Sequence, residues 1–393
     1  MGSPDLIVEG TATHPIGVAS VEANLGTSNV ACARSGASFA CDVSPLAEGA
    51  NRITVTATGL DGGSGSATVD VNYVPSEFSM QLVYFDDPFD ATHRAAFDEA
   101  VAFWETIVIG DLQGATVDFA ENDACRQGEP AFSGTIDDLL IFVTGFDDPD
   151  SSTLGVAGPC RTRSSGPDEG TNFVGFMEFN AAFLDDLATN GQLVETIVHE
   201  IGHVFGFGTN WDMLTSPFDV FEYETDPPGR DCREETVTFT SPPIFTGAEA
   251  VAAYARLAFS GSVPVEDEHG PGTRCGHWDE ATFGHELMTG FLDVGVHNPL
   301  SELSAASLAD IGLTVDLNAA EPYDVPFTLG TQEHEHEHEG HFHIAAHEIL
   351  LAPIGTLDPA TGLLSEANFL APVHRGELTR GEEREHDLDH DHD

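Results

Sequence analysis

The chain has 393 residues, enough for two or three domains at roughly 100–200 residues each. Its 41% hydrophobic content supplies a core and excludes disorder over most of the length. Asp and Glu number 67 against 13 Arg and no Lys, a formal net charge of −54, which excludes a binder of nucleic acid or of anionic membranes.

So much like charge favours a compact state only when it is screened, and the Debye length falls to about 3 Å at 1 M salt. A halophilic protein is therefore expected, with a merely acidic secreted protein as the alternative. No run approaches the roughly 18 apolar residues of a membrane span. The start, Met1-Gly2-Ser3, lacks the basic-then-apolar pattern of a signal peptide, and the polar C-terminus directs no lipid anchor. Six cysteines with no CxxC spacing suit disulfides in an oxidising compartment, so a secreted or cell-surface location is expected. The expected pairing is sequential: Cys32 with Cys41, Cys125 with Cys160, Cys232 with Cys275.

Residues 1–76 read as a small all-β module. Ile53, Val55 and Ala57 alternate with polar residues, as do Val69, Val71 and Tyr73, and the Gly-rich loop Leu60–Ser66 joins the two runs. Cys32 and Cys41 can staple a second hairpin. Short strands with Gly-rich turns are similar to the immunoglobulin-like sandwiches of many secreted enzymes, here a spacer whose partner is unknown.

Pro75-Ser76-Glu77 punctuates a change of pattern, and residues 77–328 interleave strands with helices, an α+β catalytic domain. Expected elements are strand Met80–Phe85, helix His93–Val108, strands Leu139–Phe146 and Phe173–Phe179, and one long helix from about Ala181. Phe-Asp-Asp-Pro occurs at 85–88 and 146–149, each after a strand. Such carboxylate pairs can take Ca²⁺, although solvated turns are the simpler expectation on so acidic a chain. Residues 329–393 form an acidic tail with ten of the 18 His, opening on alternating Glu and His over Glu333–Glu339. It is expected to be largely disordered, with loose zinc scavenging as the alternative.

The sharpest feature is Val198-His199-Glu200-Ile201-Gly202-His203, an HExxH sequence. On a helix the two imidazoles share one face one turn apart and can converge on a single cation, with Glu200 placed to take a proton from water. Val194, Ile197, Val198, Ile201, Val204 and Phe205 make the helix internal, and Gly206 can end it with a left-handed residue. A catalytic Zn²⁺ needs a third protein ligand and an open position. In the pattern HExxHxxGxxH it lies six residues past the second His, where this chain has Thr209. From the residues alone His269, His277 and His285 stay open, as do the carboxylates of Asp212, Glu222 and Glu224.

Downstream stand Gly276-His277-Trp278 and Glu286-Leu287-Met288. Together with His-Glu-Ile-Gly-His-Val-Phe-Gly-Phe at 199–207 and a long intervening insertion, they resemble the leishmanolysin-type (M8) metalloendopeptidases of the metzincin group. The resemblance spans about residues 77–325 and takes in Gly155–Cys160, the Trp104 helix and Leu300–Ser304 with the helix after it. It implies a metzincin-like catalytic domain, a twisted mixed sheet with the active-site helix followed by a C-terminal subdomain with a Met-turn. It also implies one Zn²⁺ on His199, His203 and His277, Glu200 as catalytic base, Met288 as the Met-turn residue, and protein or peptide substrates. The protozoan members carry more disulfides and a lipid-anchor signal, so the chain resembles sparser bacterial relatives. A Cys232–Cys275 disulfide would hold His277 against the helix. The substrate is expected to lie extended and antiparallel along an edge strand, assigned to Phe173–Phe179. The two other readings are a zinc hydrolase with a carboxylate third ligand and a non-catalytic adhesion protein with a degenerate site.

Overall fold

The computed structural model describes residues 6–325 apart from 27–28, 74, 127, 152, 212–216, 235, 271 and 294, together with 341–342, 355–361 and 363–366. The Glu333–Glu339 tract, and with it most of the acidic stretch after 329, lies outside the described residues.

Seven strands come first: β1 (Ile7–Thr11), β2 (Val18–Asn24), β3 (Asn29–Ala31), β4 (Ala33–Ser35), β5 (Ser38–Asp42), β6 (Gly49–Gly59) and β7 (Ser64–Tyr73). They form one sheet of order β1-β5-β4 and another of order β3-β2-β6-β7. Alternation of apolar and polar residues puts Ile53 of β6 and Ala23 of β2 inward, where they share a small core with Cys41, Val43 and Leu46. The Cys32–Cys41 disulfide clasps the hairpin of β4 and β5.

β8 (Met80–Tyr84) leads into α1 (Ala91–Ile107), capped by Asp90, whose side chain accepts from the N–H groups of Thr92 and His93. Ala96, Phe97, Ala100, Trp104 and Ile107 form its buried face. β9 (Ala115–Phe119) and β10 (Phe132–Ile136) pair antiparallel, and β11 (Leu139–Phe146), β12 (Gly155–Arg163) and β13 (Asn172–Asn180) follow. The single long helix expected from about Ala181 is two helices, α2 (Ala181–Asn190) and α3 (Leu193–Phe205). Gly191 breaks it: at φ 77° it takes the left-handed cap position, and its N–H donates to the carbonyls of Leu187 and Ala188.

Beyond α3, β14 (Phe221–Asp226), β15 (Thr238–Phe245) and β16 (Val263–Pro264) make an antiparallel sheet, with α4 (Ala248–Arg256) between the last two in sequence. α5 (Glu280–Phe283), β17 (Leu292–Asp293) and α6 (Glu302–Asp310) complete this part. The acidic stretch contributes β18 (His341–Phe342), which pairs with β17, and the hairpin of β19 (Gly355–Asp358) and β20 (Leu363–Glu366).

The central sheet has the order β20-β19-β12-β13-β11-β8. β8, β11 and β13 run parallel, β12 runs antiparallel to β13, and β19 joins β12 only at Arg161–Arg163. The expected substrate-binding edge, Phe173–Phe179, is therefore not an edge: it lies in β13, hydrogen-bonded on both sides. Its apolar run Phe173–Met177 is the signature of a strand buried on both faces, which periodicity alone does not place within a sheet. β19 is held by Leu357, fully buried beside Phe142, Phe173 and the Cys125–Cys160 disulfide. The main core fills the space between the sheet and α1 and α3, and the Trp104 indole N–H donates to the Val198 carbonyl at 2.9 Å across that interface. This is a mixed α/β architecture of several sheets and few helices. No helix among the described residues is long and apolar enough to cross a membrane.

Candidate metal centre

α3 is buried almost all round, from Leu193 to Phe205, so the His199, Glu200 and His203 side chains project into the interior. The helix stops at Gly206, which has φ 109° and donates its N–H to the carbonyls of Gly202 and His203. The chain then turns through Gly208, at φ +72°, where a Cβ would stand 2.3 Å from the Gly276 carbonyl oxygen. Only glycine permits this backbone approach, and it brings residue 277 to the end of α3. The Cys232–Cys275 disulfide ties down the same segment.

The structure brings His199, His203 and His277 together. Their Nε2 atoms lie 3.0 Å (199–203), 3.1 Å (203–277) and 3.3 Å (199–277) apart, and all three side chains are fully buried. Each Nδ1 sits on a backbone carbonyl: His199 on Leu287 at 2.7 Å, His203 on Phe207 at 3.0 Å and His277 on Thr273 at 3.0 Å. A carbonyl only accepts, so each Nδ1 carries the proton and each Nε2 presents a lone pair. Three lone pairs facing one another inside a protein repel unless a cation stands between them. Tetrahedral zinc at 2.0–2.1 Å from each nitrogen needs nitrogens about 3.3 Å apart, and the observed triangle fits it. Carbonyl partners of this kind fix the tautomer and aim of metal-binding imidazoles.

Glu200 is fully buried beside the first histidine. Its carboxylate lies against the start of β12, so closely that a Cβ on Gly155 would fall 2.3 Å from Oε1 and 2.8 Å from Cδ. Met288 packs under α3: a Cβ on Gly202, between the two helical histidines, would meet its Cε at 2.8 Å and its Sδ at 3.0 Å. Trp278 is fully buried, its indole N–H donating to Ser304 Oγ at 2.9 Å.

The rival donors lie elsewhere. His269 packs edge-on to Phe291 and His285 against Tyr323. Glu222 and Glu224 are exposed on β14, because strand alternation turns Phe221 and Thr225 inward instead. Asp212 lies outside the described residues. Asp87 of the first Phe-Asp-Asp-Pro accepts from the Phe89 N–H, and Asp148 of the second from Asp150 and Ser151, so both close turns.

Sequence reasoning assigned no role to Gly155, Gly202 and Gly208, although glycine inside an apolar helix costs about 1 kcal/mol against alanine and so calls for a packing reason. It also gives no role to three buried acids, Glu266, Glu280 and Glu286. Glu266 donates its N–H to the His277 carbonyl, and burial pushes its carboxyl up to about 7. Burial likewise raises Glu280 to about 8 and shifts Glu286 upward.

A family model described as leishmanolysin, peptidase family M8, matches residues 114–325, a span that contains α3, the three gathered histidines and the Met288 turn. No curated protein and no solved structure matches the chain. With more than half of its length covered by that match, the chain belongs to the leishmanolysin family of metallopeptidases.

Proposed function

We propose that the chain is a secreted, zinc-dependent endopeptidase in which His199, His203 and His277 hold one Zn²⁺ and Glu200 is the general base. The observation that carries the reading is the triangle of three Nε2 lone pairs within 3.0–3.3 Å of one another, each ring oriented by a carbonyl. When bound, zinc supplies a Lewis acid and a water of lowered pKa. Glu200 would accept a proton from the attacking water and deliver it to the departing amine. Met288, packed beneath Gly202, is the Met-turn residue and fixes the floor under the two helical ligands.

The peptide pairs with β12 rather than β13. Among the described residues no strand pairs with Gly155–Cys160 on the side away from β13, because β19 begins its pairing at Arg161. Pro159, which donates no hydrogen bond, suits such an edge position. Main-chain pairing there is largely tolerant of substrate sequence. Residues 77–328 form the body of the catalytic unit, to whose central sheet the β19–β20 hairpin of the acidic 329–393 stretch adds two strands, and 1–76 form an immunoglobulin-like spacer, in a protein suited to saline surroundings outside the cell.

Metal content and chelator-sensitive casein hydrolysis test the reading. Wild-type protein should hold one zinc per chain and lose hydrolysis with chelator. Glu200→Ala should keep the zinc and lose hydrolysis, and His277→Ala should lose the zinc. Full hydrolysis by either variant overturns the role given to that residue.

A further inference from the structure

We propose that Glu286 is a positioning residue for the metal centre, acting through the Leu287 carbonyl on His199 and through Ser304 and Trp278 on the chain that carries His277. This rests on the three-histidine reading above and adds to it a buried charge that sets the aim of the ligands.

Glu286 is fully buried, and four donors converge on its carboxylate. Oε1 accepts from the Ser301 N–H at 3.0 Å, Ser301 Oγ at 2.6 Å and Ser304 Oγ at 2.5 Å, while Oε2 accepts from the Met288 N–H at 2.6 Å. The two backbone groups can only donate. The Ser304 hydroxyl already accepts from the Trp278 indole, and Ser301 Oγ accepts from the Ser304 N–H at 3.4 Å, so both hydroxyl protons are free to point at Glu286. Burial raises the Glu286 carboxyl's pKa, and the donors from Ser301, Ser304 and Met288 oppose that shift; a carboxylate ringed by donors accepts on every side, which suits its ionised form. Ser301 is the N-cap of α6, so the charge also sits on the positive end of that helix.

The carboxylate therefore joins three pieces of chain. Through Met288 N–H it closes the turn 286–288, whose middle carbonyl, that of Leu287, accepts from His199 Nδ1 at 2.7 Å. The Leu287 N–H is in turn held by the Pro299 carbonyl. Through Ser304 the carboxylate reaches the Trp278 indole, and the Trp278 N–H donates to the Met288 carbonyl at 3.0 Å. Trp278 follows His277 directly. Two of the three ligand rings thus depend on one buried charge that touches neither. Removing the direct partner of a metal-binding imidazole commonly changes metal affinity by about 10–100-fold, and Glu286 acts on one such partner, the Leu287 carbonyl.

Glu286→Gln keeps the shape but presents an amide N–H₂ to a ring of donors, forcing the Met288 turn or the Ser301–Ser304 pair to move. Zinc dissociation constants from chelator competition, and the visible spectrum of the Co²⁺-loaded protein, read the ligand geometry without reference to activity. Glu286→Gln should bind zinc about 10–100-fold more weakly and alter the Co²⁺ spectrum. Ser304→Ala, which keeps the charge, should shift both in the same direction by less, and stands in if Glu286→Gln does not fold. Leu303→Ala, on the same helix and buried but outside the network, is the control: it should lower the melting temperature and leave zinc affinity and spectrum as in wild type. Wild-type affinity and spectrum in Glu286→Gln, or equal losses in Leu303→Ala, overturn the inference while leaving the metal centre standing. Wild-type protein that binds no stoichiometric zinc overturns both.

Discussion

Replacing Gly155 by alanine puts a methyl group where the Glu200 carboxylate now lies. The added Cβ would sit 2.3 Å from Oε1, 2.8 Å from Cδ and 3.1 Å from Cγ, whereas ordinary van der Waals contact begins near 3.4 Å. β12 residues have extended backbone that alanine adopts freely, and the obstructing atoms are the far end of a flexible side chain. The fold therefore yields by moving the carboxylate about 1 Å rather than by unfolding, and a misplacement of that size at a reacting group costs on the order of 100-fold in rate. The expected outcome is a kcat lowered about 100-fold, with zinc content and melting temperature close to wild type. A quenched-fluorescence peptide assay, metal analysis and thermal unfolding measure the three quantities. Undiminished kcat would refute the claim that Glu200 works from this position, and loss of zinc would show that Gly155 supports the ligands instead.

Gly208→Ala attacks the approach that delivers His277. At φ +72° alanine is strained, by about 1–3 kcal/mol, and its Cβ meets the Gly276 backbone, which has nowhere flexible to go; both melting temperature and zinc content should fall. Glu280→Gln tests a buried acid whose folded pKa is about 8, against a usual value of 4.5, raised chiefly by burial with nearby carboxylates adding to it. The folded state holds this proton longer than the unfolded one, so its contribution is intact below about pH 4.5 and is lost as pH rises to about 8. Urea midpoints of Glu280→Gln should therefore match wild type at about pH 4 and exceed it at about pH 8.5, and parallel curves at both would refute the shift. For the halophilic reading, the unfolding midpoint should rise steeply from low to molar NaCl as like charges are screened, and a salt-independent midpoint would end it.

The local parts of the site were legible because local spacing is enough to specify them. A spacing of four from His199 to His203 puts two rings on one helix face, and Gly206 supplies the left-handed stop. Alternation in β6 and β7 marks their hairpin, since period two is read directly from side-chain type. The family pattern also carried His277, 74 residues past His203. Nothing in residue order says that Gly208 and Gly276 must touch for that ring to arrive, or that Gly191 splits the helix before α3. Sheet order is beyond reach for the same reason: an apolar strand reads alike whether it pairs on one side or two, so residue order does not tell β13, paired on both sides, from β12, whose Gly155–Pro159 pairs on one side among the described residues. The sequence by itself determined which residues have the chemistry to hold a metal and move a proton, because that is a property of side chains and short spacings. Only the tertiary structure decided which carbonyls aim the three rings and that a buried Glu286 joins the Met288 turn to Ser301 and Ser304, because those contacts join segments far apart in the chain and depend on how it closes.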